Sequence, residues 1–211
     1  ENLPIKLKRK DNSPGIDLRI KKKIRVLLPK EKQSESQPYI EGDTLNAVID
    51  LIRNQGRSFE LTPKVFSTLE EEWLRDIILS MLNAVLEGGA TGETFVKRGK
   101  TDIHLKLNVE GGILSAECKF WGGEKKYQET IDQHFGYLTW KQDYAIQITF
   151  SKNVDFSSVI NNSIKATKEH PTYVEGSFRQ VDKSYFITSH ILLGDSEKRV
   201  EVHHFLFDLH V

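Results

Sequence analysis

Polar and apolar positions alternate most regularly between Gly99 and Gly123, in GKTDIHLKLNVEGGILSAECKFWGG. From Thr101 to Asn108, Asp102, His104 and Lys106 fall on one side of an extended chain, and Ile103, Leu105 and Leu107 on the other. That period of two marks a half-buried strand. From Ile113 to Phe120, Ser115, Glu117 and Lys119 share one face, and Ala116, Cys118 and Phe120 the opposite one. A tight turn at Gly111-Gly112 joins the two as a hairpin. If the strands pair, an Asp, a Glu and a Lys converge on one surface of a sheet.

Elsewhere the period is helical. Leu45, Val48, Ile49 and Ile52 predict a helix from Asp43 that Gly56 closes. Leu69, Trp73, Leu74, Ile77, Ile78, Met81, Leu82 and Val85 form a broad apolar stripe over 69–87. Ser67 or Thr68 is its expected cap, and Gly88-Gly89 its stop. Glu70 lies within the stripe and Glu71 at its edge. A short strand over 94–97 leads into the hairpin, and Trp121 with Gly122-Gly123 lets the chain turn sharply after it. A helix over 124–141 turns Tyr127, Ile131, Phe135 and Leu138 inward. Gln133 and Tyr137, with Trp140, form a second face that core packing does not require. Tyr144 to Phe150 is apolar enough to be a central strand. Asp155 caps a helix through Lys168, and strands over 184–193 and 199–209 meet at Gly194-Asp195. This order describes an α/β sandwich around a mixed sheet.

With 211 residues the chain can bury one full core. Its 30 basic and 30 acidic side chains cancel, so net charge points to no partner. The distribution does: residues 1 to 30 carry ten basic and three acidic side chains, a local excess of +7. Such a patch suits a phosphate backbone or a solvated arm. The chain therefore divides into a basic N-terminal extension or small subdomain (1–60) and a main domain (61–211). The alternating run Ile16 to Leu28 suits an edge strand. Cys118 is the single cysteine, which excludes an intrachain disulfide and fits a reducing cytoplasm. No apolar run approaches the ~18 residues of a membrane span, and no signal peptide is visible. A start at Glu1 rather than Met suggests a piece of a longer chain.

The order αβββαβ, with Asp102 on the second strand and Glu117-x-Lys119 on the third, resembles the PD-(D/E)xK phosphodiesterase superfamily. The contexts are GKTD and AECK, with Thr101 where the nominal motif has Pro. Gln133-x-x-x-Tyr137 on the next helix is similar to the Gln-x-x-x-Tyr branch of that superfamily. The resemblance runs from about Ser67 to Lys168 and implies a restriction-endonuclease-like fold. It also implies a Mg2+-dependent endonuclease, with Mn2+ able to substitute, acting on DNA rather than RNA in restriction, anti-phage defence or repair. Asp102 and Glu117 would bind the metal, with the backbone carbonyl of Cys118 as a third oxygen ligand. Lys119 would orient water and stabilise charge. Glu71 from the first helix would complete the site, with Glu70 the second choice, and Gln133 and Tyr137 would join it. Cutting both strands would favour a homodimer.

The chemistry fits those residue types. Phosphodiester hydrolysis must neutralise phosphate charge and supply hydroxide near neutral pH. A hard cation held by a few carboxylates does both. Glu-x-Lys alone says little, since Glu124-x-Lys126 repeats it a few residues on. Two other classes stay open: an inactive nuclease-fold module that binds nucleic acid or a protein, and a structural domain with a solvated strand face of cross-strand ion pairs. His203, His204 and His210 lack zinc spacing, and alternation sends His203 and His204 to opposite faces.

Overall fold

Ile146, Ile148 and Phe150 alternate along one strand with no exposed surface at all, and the layers of the molecule are stacked about that strand. The computed structural model describes residues 42–85, 89–96, 99–106 and 113–211. Its elements are α1 (Gly42–Leu61), α2 (Pro63–Phe66), α3 (Glu71–Val85), β1 (Gly89–Val96), β2 (Gly99–Lys106) and β3 (Ile113–Phe120). They continue with α4 (Glu124–Tyr137), β4 (Tyr144–Ser151), α5 (Phe156–Lys168), β5 (Arg179–Asp182), β6 (Tyr185–Leu192) and β7 (Asp195–Asp208). The Gly111-Gly112 turn and the Ile16 to Leu28 strand lie outside the described residues, as does the basic arm.

One seven-stranded sheet has the order β1-β2-β3-β4-β7-β6-β5. β3 with β4 and β4 with β7 are parallel, while the remaining neighbours are antiparallel. The protein is thus α/β, a mixed sheet with helices on both faces, as the hydrophobic pattern predicted. Parallel neighbours need a crossover, and α4 provides the one from β3 to β4. On one face Cys118, Ile146, Ile148, Phe150, Phe205 and Phe207 join Val48, Ile52 and Phe59 of α1 and Leu74, Ile78 and Leu82 of α3. On the other, Ala145, Val200 and Val202 meet Tyr127, Ile131 and Phe135 of α4 and Ala166 of α5. Each large apolar side chain buried this way contributes about 1.5–3 kcal/mol. No helix among the described residues is long and apolar enough to cross a membrane.

The structure corrects several local expectations. Gly56 does not close α1, which continues to Leu61. It sits mid-helix with the Phe207 ring against it, where a Cβ would overlap the ring. The core cluster therefore takes in α1, most of which the sequence assigned to an N-terminal extension. Neither Ser67 nor Thr68 caps α3. Pro63 starts the short helix α2, whose C-cap is Ser67, and the Thr68 hydroxyl donates to the Val65 carbonyl. Trp73 leaves the apolar stripe and is 61 % exposed, because Leu74, Ile78 and Leu82 take the centre of the buried face. α4 stops at Tyr137, where Leu138 turns extended, rather than reaching Lys141. Asp155 does cap α5, accepting the Ser158 N–H at 2.9 Å, and Gly194 makes the β6–β7 turn at a φ of +90°.

Gly56→Ala should lower stability by about 1–3 kcal/mol in urea denaturation, despite Ala's gain of roughly 1 kcal/mol in helix propensity. Adding Phe207→Leu should recover part of the Ala penalty, which a double-mutant cycle will read as coupling.

Candidate active site

At the end of β3, the Trp121 N–H donates to the Phe150 carbonyl of β4 at 2.8 Å. Successive N–H groups of a strand point to opposite edges, so the Phe120 N–H projects from the edge facing β2. There it donates to Oε2 of Glu71 at 2.8 Å. The other carboxylate oxygen of Glu71 holds Lys119 Nζ at 2.9 Å. Glu71 is the first residue of α3, where the exposed N–H groups and helix dipole favour a carboxylate. Of the two glutamates the sequence offered, Glu71 reaches the strand, whereas Glu70 is exposed and lends its carbonyl to the Leu74 N–H. Both charges of the Glu71–Lys119 pair are partly shielded, with 29 % and 20 % of their side chains exposed.

Glu117 lies two residues before Lys119 on the same face and is 0 % exposed. Burying a carboxylate is costly, and only hydrogen bonds, a counter-charge or a cation offset it. The β2–β3 ladder runs from Lys106↔Ile113 to Ile103↔Ala116, and the next positions along the two strands are Asp102 and Glu117. The Asp102 side chain lies outside the described residues, as does that of His104. The Cys118 side chain is buried in the α1–α3 core, as its alternation implied. Its carbonyl leaves the strand on the same edge as the Phe120 N–H, between Glu117 and Lys119. Gln133 of the Gln-x-x-x-Tyr pair faces solvent, and Tyr137 is half-buried at the end of α4. Lys152, just past β4, lies 4.2 Å from the Phe120 ring centre and adds a cation at the rim.

Among the described residues, no three His, Cys, Asp or Glu side chains form a metal cage. The oxygens on this part of the sheet are the Glu71 carboxylate, held at Lys119 and the Phe120 N–H, the buried Glu117 carboxylate and the Cys118 carbonyl on the same strand edge as the Phe120 N–H. That set fits a hard cation such as Mg2+ or Mn2+ and suits a thiophilic one poorly.

The same face carries polar residues that sequence reasoning did not assign to the site, among them Thr188, His190, His170 and His134, together with His204, which it set aside as a zinc ligand. His134 of α4 lies 2.8 Å from the Ser115 hydroxyl. A hydrogen-bonded chain also crosses the buried face. Tyr127 Oη meets His204 Nδ1 at 2.9 Å, and His204 Nε2 meets the Thr188 hydroxyl at 2.8 Å. His190 bridges Thr188 and Thr172 at 3.1 and 2.8 Å. The chain ends at His170, whose Nδ1 meets the Thr172 hydroxyl at 2.8 Å, while its Nε2 lies 3.2 Å from the exposed Asp132 carboxylate without a hydrogen bond. The available signal was polar residues recurring at alternate positions inside the apolar strands β6 and β7. Burial lowers His190 to about 3, helped by the neighbouring His170. Burial also holds His204 well below its ordinary value, with His190 and His203 adding to the effect. His170 is lowered by burial against the opposing pull of Asp132.

Set against known proteins, the chain matches no family model, no characterised protein and no solved structure.

Because these histidines stay neutral when folded, the unfolded chain takes up their protons first as pH falls through about 6.5. Stability should be insensitive to them above that pH and decline below it, toward about 3 for His190. His190 and His204 should each contribute a slope of up to about 1.4 kcal/mol per pH unit. Urea denaturation from pH 7.5 to 4.5 checks this, with a His190→Gln variant expected to give a flatter profile.

Proposed function

We propose that this chain is a nuclease with a restriction-endonuclease-like core, which hydrolyses DNA phosphodiester bonds with Mg2+. The observation that carries the reading is the Glu71 clasp: a helix-borne carboxylate holding Lys119 and the strand edge at Phe120, beside the buried Glu117. Further support comes from the order α3-β1-β2-β3-α4-β4, the αβββαβ succession of that fold. The β2–β3 register also supports it: continued one step past Ile103↔Ala116, it would bring Asp102 opposite Glu117.

In this reading Asp102, Glu117 and the Cys118 carbonyl hold the cation, with Glu71 at hand as a further oxygen donor. A hard divalent ion held there would supply charge neutralisation for the phosphate and a lowered pKa for water. Lys119 donates from its ammonium to the scissile phosphate or to the attacking water, stabilising the charge that builds up on oxygen. Glu71 keeps that ammonium at the strand edge and limits its rotamers. Gln133 and Tyr137 enter through the sequence motif alone. Lys152 and the basic residues of the first thirty positions supply attraction for the DNA backbone. Restriction, defence or repair would be the setting, with a homodimer for two-strand cleavage.

Supercoiled plasmid should be nicked with Mg2+ or Mn2+ and left intact in EDTA. Lys119→Ala and Glu117→Gln should each cut at least about 100-fold more slowly. A wild type that leaves plasmid whole, and that binds no Mn2+ by calorimetry, would overturn the reading and leave a binding module in its place.

A further inference from the structure

The strand beside β3 carries two polar side chains that packing does not explain. In the parallel β3–β4 register Gln147 is the partner of Glu117, and Thr149 the partner of Lys119. Ile146, Ile148 and Phe150 between and beside them fill the α1–α3 core. Gln147 and Thr149 therefore project to the face that Glu117 and Lys119 share. Both are 1 % exposed. Among the described residues, neither the Gln147 amide nitrogen nor the Thr149 hydroxyl has a hydrogen-bond partner.

Their neighbours on the far side offer nothing. Gln147 stands beside His204 of β7, and Thr149 beside Leu206. Both nitrogens of His204 are already engaged, one by Tyr127 at 2.9 Å and the other by Thr188 at 2.8 Å. Leu206 has no polar side-chain atom. On the other side, toward β3, stand Glu117 and Lys119. A buried donor without a partner is costly, and a strand interior could hold Leu and Val at these positions for less.

We propose that Gln147 and Thr149 are positioning residues of the same site, which donate hydrogen bonds to oxygen atoms of water or phosphate held over Glu117 and Lys119. The proposal rests on the nuclease reading above and extends the site from β2 and β3 to β4. Gln147, with two N–H groups and level with the carboxylate, orients the oxygen that Glu117 approaches. Thr149, level with Lys119, adds a neutral donor next to the ammonium. The pair thereby fixes the direction from which Lys119 meets the reacting oxygen.

Thr149→Val and Gln147→Leu keep the approximate volume and remove the polar group. In EDTA both variants should show a thermal midpoint equal to or above that of the wild type. Their plasmid cleavage with Mn2+ should fall roughly 10- to 100-fold, the midpoint rise on adding Mn2+ should shrink, and Thr149→Ser should restore cutting. If the wild type cuts and both variants match its rate, the proposal fails while the nuclease reading stands. A lower midpoint for the variants in EDTA would also overturn it, since the groups would then be structural. A wild type that neither cuts nor gains stability from Mn2+ would overturn both readings together.

Discussion

The parallel pairing of β3 with β4 is the constraint on which the rest of the molecule depends. Two parallel strands cannot be joined by a tight turn, so the chain must leave the sheet and return from the other end. It does so through Gly123, at a φ of +96°, and α4. That crossover sets His134 against Ser115 on the face that also carries Glu117, which is fully buried. The same register lines up Glu117 with Gln147 and Lys119 with Thr149. A slip of one residue would send both charged side chains into the apolar α1–α3 core.

The two faces of the sheet differ in kind. Toward α1 and α3 the strands present Ile, Phe, Cys and Ala, with Phe150 and Phe207 packed ring against ring at 6.2 Å. That side is mostly shape and apolar area, with His203 buried against the Tyr185 hydroxyl at 2.7 Å. Toward α4 and α5 the strands present Ser115, Glu117, Gln147, Thr149, Thr188, His190 and His204, all buried. A polar interior of this extent depends on its members bonding one another, and the chain from Tyr127 to His170 engages both nitrogens of His204 and of His190. Cohesion is thus concentrated on one face, and chemical capability on the other.

Glu71 connects the two. Its helix packs on the apolar face through Leu74 and Ile78, yet its carboxylate passes the strand edge to reach Lys119. The short turn of α2 makes this reach available. Pro63 ends the run of α1, Ser67 closes α2, and α3 then begins at Glu71 with its first turn aimed at the end of β3. A hydroxyl cap at Ser67 or Thr68 would have begun the helix earlier and carried Glu71 away from the strand.

Periodicity made most of the elements legible. The pattern gives β3 its observed ends, marks β4 as central through YAIQITF, and identifies Tyr127, Ile131 and Phe135 of the buried face of α4, though not Thr130 or His134. Side-chain alternation is a local property of the backbone, so a strand's two faces are written into its own residues. The sharing of one face by Glu117 and Lys119, and the opposite facing of His203 and His204, were therefore available from sequence. What stacks on what is not local. Gly56 resembled a helix stop until the Phe207 ring, far along the chain, supplied a reason for a glycine inside α1. The neighbours that β4 gives to β3 and the histidine chain between β6, β7 and α4 depend on strand order. Strand order is settled only when the separate apolar faces are buried against one another, which only the tertiary structure decides.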